Sequence, residues 1–188
     1  MATVERTHTF ASGAQVRLVQ GDITTAQVDA IINAANAYLQ HGGGVAAAIA
    51  RRGGPVVQQA SDEWVQRHGR ISPDHPAITA AGNLPCRFVI HAVGPVWGEG
   101  DEDRKLARAV AGALRLAAEH DLASLAMPAI STGIFGFPKE RAAGVILDAL
   151  HDYFESEPDS SLRRMDVILF DAPTFQAFSE AFDSRWPG

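Results

Sequence analysis

The run SLAMPAI, Ser124 to Ile130, is apolar almost without interruption. It constrains the fold more than any other stretch. A strand with one wet face alternates in polarity, whereas a continuously apolar one reads as buried on both faces. Apolar runs of this kind alternate with helical patterns along the whole chain. Strands are predicted at 7–10, 15–20, 28–33, 76–81, 87–93, 124–129 and 165–170. Helices are predicted at 44–52, 55–68, 103–120, 138–156 and 173–183. In the third helix Leu106, Val110, Ala113, Leu114 and Ala117 describe one apolar face behind an acidic first turn. The alternation predicts a sheet covered by helices on both sides, a three-layer α/β/α domain. Ligands of such sheets bind beyond the carboxyl ends of the strands.

Length and composition set the bounds. With 188 residues, 46% of them apolar, the chain is expected to form one domain with a core of its own. No apolar run reaches the roughly 18 residues of a membrane span, and the start, MATVERTHTF, lacks the apolar core of a secretion signal. The one cysteine, Cys86, permits no internal disulfide and no cysteine-built zinc site, and it reads as a small apolar residue beside a strand. A cytoplasmic location is expected, with no metal and no cofactor. The formal charge is −6, and Lys105 and Lys139 are the only lysines. That balance argues against nucleic-acid binding, which needs a basic field. An anionic ligand would have to be held mostly by backbone amides.

Two glycine-rich loops stand in matching places. His41–Gly44 (HGGG) opens the first helix, and Ser131–Pro138 (STGIFGFP) lies between the SLAMPAI strand and the fourth helix. At a helix N-terminus unsatisfied amides and the helix dipole favour an anion, and missing Cβ atoms allow close approach. Two facing loops suit a diphosphate better than a single phosphate. Either loop alone could be an ordinary turn or cap. Three rival motifs fit less well. Gly42-x-Gly44-x-x-Ala47 matches the dinucleotide fingerprint, yet helix follows where that motif needs a strand ending in an acid. No glycine loop carries the Lys-Ser/Thr of a nucleotide-triphosphate loop. HGGG and AISTG resemble a serine-hydrolase oxyanion loop and elbow, but His151 is the only histidine after Ser131, and it lies inside a helix.

The segments VQGDIT, VDAIINAAN, HGGGVAAAIA, HAVGP and PAISTGIFGFP, in this order and spacing, resemble the macrodomain family over about residues 14–183. The resemblance implies a three-layer fold with a mixed central sheet and a site for ADP-ribose. It assigns Asp22 to the adenine amino group, with the amide of Ile23 beside it. A carboxylate suits that donor, although a turn-capping Asp would look the same. It places Asn36 at the distal ribose and uses Asn33 to tie its loop together. Gly43, Gly44 and Val45 form the first diphosphate loop. Ser131, Thr132, Gly133, Ile134 and Phe135 form the second, with Phe135 on the distal ribose. Phe170 packs on adenine, unless it is simply core at a strand end.

One family branch with de-ADP-ribosylating activity carries an Asp where this chain has Ala46; another shares HGGGVAxAIA and includes members regarded as active. Catalysis would then rest on Asn36 and a ligand phosphate that place and activate a water. His41 has a free pKa suited to a general base, but a loop histidine that bonds locally is the plainer reading. His91 reads as a core histidine with a bonded partner. The expected function is hydrolysis of mono-ADP-ribose esters on acidic side chains, or deacetylation of O-acetyl-ADP-ribose. The alternatives are a non-catalytic reader of ADP-ribosylated protein and a binder of another nucleotide or of nucleic acid, which the negative charge disfavours. A monomer whose partner is ADP-ribose or an ADP-ribosylated protein is expected.

Overall fold

A computed structural model describes residues 2–188, in which seven strands form one sheet. In chain order these are β1 (Thr3–Thr9), β2 (Gln15–Gln20), β3 (Ala30–Ala34), β4 (Ala77–Ala80), β5 (Phe88–Ala92), β6 (Ser124–Met127) and β7 (Arg164–Leu169). The helices are α1 (Gly44–Gly53), α2 (Pro55–His68), α3 (Glu102–Glu119), α4 (Lys139–Ser156) and α5 (Ala172–Arg185). The sheet order is β1-β2-β7-β6-β3-β5-β4. The edge strands run antiparallel to their neighbours, β1 to β2 and β4 to β5, and the pairs β2/β7, β7/β6, β6/β3 and β3/β5 are parallel. The sheet is therefore mixed, as the resemblance implied.

Successive residues of the central strands explain the continuous apolar runs. Ile32, Leu125 and Val167 pack with Leu114, Ile146 and Phe178 of α3, α4 and α5. Their neighbours Ile31, Ala126 and Ile168 pack with Ile49 and Val57 of α1 and α2 on the opposite face. Both faces are covered, so most positions of either parity are apolar, and the exceptions such as Asn33 and His91 are buried and hydrogen-bonded. The predicted face of α3 is fully buried, worth roughly 1.5–3 kcal/mol for each large side chain.

All twelve predicted elements are present, with shifted ends. β1 begins at Thr3, four positions before its expected start, because an edge strand with mostly exposed side chains carries no apolar alternation. A 3-10 turn at Ile23–Thr25 follows β2 and was not predicted. Among the described residues no helix is long and apolar enough to cross a membrane, and no cluster of side chains could hold a metal ion.

Candidate functional site

The carboxyl ends of β3, β6 and β7 open into a cleft of about 830 Å³, where the strand order reverses. All twelve residues singled out as ligand-binding line it: Asp22, Ile23, Asn36, Gly43, Gly44, Val45, Ser131, Thr132, Gly133, Ile134, Phe135 and Phe170. Phe170 and Ile134 are each 80% exposed, so Phe170 is not core. Sequence reasoning missed other lining residues, among them Arg51, Gly94 and Thr174. Gly94 was already marked by HAVGP, because a Cβ there would stand 2.2 Å from Ser131 Oγ. It lets the second loop settle against the end of β5.

Both loops present amides without side-chain competitors. Helix α1 begins at Gly44 with no side-chain cap, and α4 likewise lacks one. Among the described residues the N–H groups of Gly44, Val45, Gly133, Ile134 and Phe135 find no protein acceptor. Gly44 has φ 59°, a left-handed conformation that glycine adopts most easily. Gly43 is extended, and a Cβ there would meet Ile134 Cδ1 at 3.0 Å, so Ile134 reaches across to the first loop. Ser131 is itself left-handed at φ 68°, and among the described residues its buried hydroxyl has no partner. The second loop is pinned internally by Phe137 N–H to Ser131 O at 2.9 Å and Thr132 Oγ1 to Ala129 O at 2.8 Å.

Asp22 turns out to be both a cap and a cleft residue. Its Oδ1 accepts from Thr24 N at 2.9 Å and Thr24 Oγ1 at 2.7 Å, capping the 3-10 turn. The Thr24 hydroxyl holds its carboxyl below the usual range, and Oδ2 has no protein donor among the described residues. The ionisable residues lining the cleft are Asp22, Arg51 and Asp171.

Asn36 is largely committed to its own loop. Its Oδ1 accepts from Tyr38 N at 3.2 Å and Gln40 N at 3.0 Å, and its Nδ2 donates to Gln40 O at 2.7 Å. One Nδ2 hydrogen remains for a ligand, and the carbonyl has no free lone pair. In this geometry Asn36 is a donor.

His41 does not line the cleft. Ser61 Oγ gives its single hydrogen to Val57 O at 2.8 Å, so the 2.9 Å contact to His41 Nε2 requires the ring to carry the proton there. His41 Nδ1 then accepts from Asn33 Nδ2 at 3.4 Å. The other Asn33 hydrogen goes to His91 Nδ1 at 3.1 Å, while His91 Nε2 meets Thr79 Oγ1 at 2.8 Å. The two rings stack with centroids 5.1 Å apart. Burial pushes His41 below its ordinary pKa and His91 down to about 3. Both are neutral structural groups, and Asn33 ties loop to sheet. His41 is thus bonded at both ring nitrogens and lies outside the cleft lining.

Comparisons with known proteins agree with this geometry. A model of the macro domain matches residues 32–146. An uncharacterized protein of Thermotoga maritima is 51% identical over 172 residues, which span 90% of this chain but only 29% of that protein. An O-acetyl-ADP-ribose deacetylase of an Enterobacter species is 48% identical over 173 residues, covering 91% of this chain and 95% of the relative. The solved Oceanobacillus iheyensis macrodomain with ADP superposes at a TM-score of 0.90 and 29% identity, covering 98% of this chain and 97% of the other. With the family model spanning more than half of its length, and the strand ends, loops and cleft in the expected places, the chain belongs to the macrodomain family.

Proposed function

We propose that this domain binds ADP-ribose and hydrolyses it from ester linkages, either on acidic side chains of mono-ADP-ribosylated protein or in O-acetyl-ADP-ribose. The carrying observation is the pair of facing loops whose amides lack protein acceptors. They suit a diphosphate, for which the described cleft lining offers only Arg51 as a cation. Adenine would lie by Phe170 and the free Oδ2 of Asp22, and the distal ribose by Asn36 and Phe135. The name of the Enterobacter relative supports the ester chemistry.

The ionisable side chains of the described cleft lining are Asp22, Arg51 and Asp171. With Asp22 and Asp171 at the β2 and β7 ends, where adenine is assigned, and Arg51 a cation, water activation falls to the substrate. A water held by the free Asn36 Nδ2–H attacks the ester carbonyl and passes its proton to a diphosphate oxygen. The bond between the acyl carbon and the ribose oxygen breaks, and the ribose oxygen takes that proton back from the diphosphate, leaving ADP-ribose and a carboxylic acid. Fixing the water in reactive geometry supplies several kcal/mol of barrier lowering.

The missing base also favours a second reading, a reader that binds and does no chemistry. Single-turnover release of ADP-ribose from a glutamate-modified protein, and of acetate from O-acetyl-ADP-ribose, separates the two. Hydrolysis of either supports the enzyme. Tight binding without release of either product leaves the reader.

A further inference from the structure

The loop that carries Asn36 is held from behind by one face of α2. Gln58, Ser61 and Asp62 lie at helical spacings of three and four and so share that face. Gln58 spends its whole amide on the task. Its Nε2 donates to Leu39 O at 2.9 Å and to Asp62 Oδ1 at 2.8 Å, and its Oε1 accepts from His41 N at 3.2 Å. Asp62 Oδ1 also accepts from Gln40 Nε2 at 3.2 Å.

The bonds of Gln58 bracket one residue. Leu39 O and His41 N flank Gln40, and Gln40 supplies both the N–H and the C=O that fix the Asn36 amide. A second observation points the same way. Leu39 is fully buried at φ 55°, a left-handed conformation that a leucine adopts only where its surroundings impose it. The clamp on its carbonyl is one such restraint. Strain and clamp occur one residue away from the contact that orients Asn36.

We propose that Gln58 and Asp62 are positioning residues, which hold the Gln40 peptide so that the free N–H of Asn36 is aimed at the reacting end of the cleft. This rests on the role given to Asn36 above. Gln58→Glu tests it with little change of shape, because the new carboxylate keeps an acceptor for His41 N–H but confronts Leu39 O and Asp62 with a second oxygen. We expect kcat for release of ADP-ribose to fall about tenfold, with KM and ADP-ribose affinity within twofold. Hydrogen exchange at the Tyr38 and Gln40 amides should accelerate. Asp62→Asn alone keeps an acceptor oxygen and should be close to wild type. In the Gln58→Glu background it supplies an N–H to the new carboxylate and should recover most of the lost kcat.

Faster exchange with unchanged kcat overturns the proposal. So does a loss shared equally by kcat and affinity that Asp62→Asn does not rescue. If the wild-type protein releases nothing, the hydrolase reading fails by itself and exchange decides the clamp: acceleration in Gln58→Glu supports it, and unchanged rates overturn it. Asp62→Leu, at an exposed position, gives the same comparison if Gln58→Glu does not fold.

Discussion

Gly43 and Gly44 adjoin each other but constrain the chain in different ways. Gly44 is left-handed, so any side chain there strains the backbone whether or not a ligand is bound. Gly43 is extended, and its missing Cβ faces the terminal methyl of the exposed Ile134 side chain. Gly43→Val should therefore leave the melting temperature within a few degrees while lowering ADP-ribose affinity at least tenfold, as calorimetry would show. Normal affinity would refute the cradle. Asp22 calls for a similar distinction. Asp22→Ala removes the acceptor for Thr24 as well as the adenine contact, at about 1 kcal/mol of stability for the lost cap. Asp22→Asn can keep the cap and turns an N–H toward an adenine donor. It should weaken ADP-ribose about tenfold, or about 1.4 kcal/mol, with stability nearly unchanged. Equal binding by Asp22→Asn would make Asp22 a cap alone.

At the scale of elements, β3 and β5 are joined by a buried polar bridge, because Asn33 and His91 sit opposite each other in the register. The native fold holds His91 neutral to about pH 3, against 6.5 when free. The unfolded chain thus binds the extra proton first as pH falls, and stability contributed by burying the neutral ring is complete above about 6.5 and declines toward 3. The loss approaches about 1.4 kcal/mol per pH unit in that window. Urea unfolding at pH 7 and 5 should show a steeper decline for wild type than for His91→Gln; equal declines would remove His91 as the cause. Periodicity revealed the strands but not this bridge, although His91 was legible as a bonded core histidine. The role of His41 was less so, because its partners Ser61 and Asn33 lie 20 and 8 residues away. Gln58 and Asp62 gave no signal at all, since polar residues on a helix look like a wet face until a loop is seen to cover them.

For the molecule as a whole, the succession of strands and helices along the chain was legible because apolar parity, glycine and proline mark it directly, whereas the order of the strands within the sheet was not. The cleft was legible through its motifs, and the gathering of twelve separate residues around one cavity follows from the strand order. The outer half of β1 was not, for want of apolar pattern. If the paired loops act together, ADP-ribose should stabilise the fold by about 2.7 kcal/mol at a hundredfold excess over Kd. AMP, with one phosphate, should bind more weakly, and equal affinities in calorimetry would dissolve the pairing of the loops. The composition of that cradle has a further consequence. Peptide dipoles at contact distance lie well inside the Debye length of about 8 Å at physiological ionic strength, and the formal charge of −6 repels an approaching diphosphate. Raising sodium chloride from 20 to roughly 200 mM, which weakens sites built from lysine and arginine severalfold or more, should leave the dissociation rate of ADP-ribose almost unchanged and speed its association.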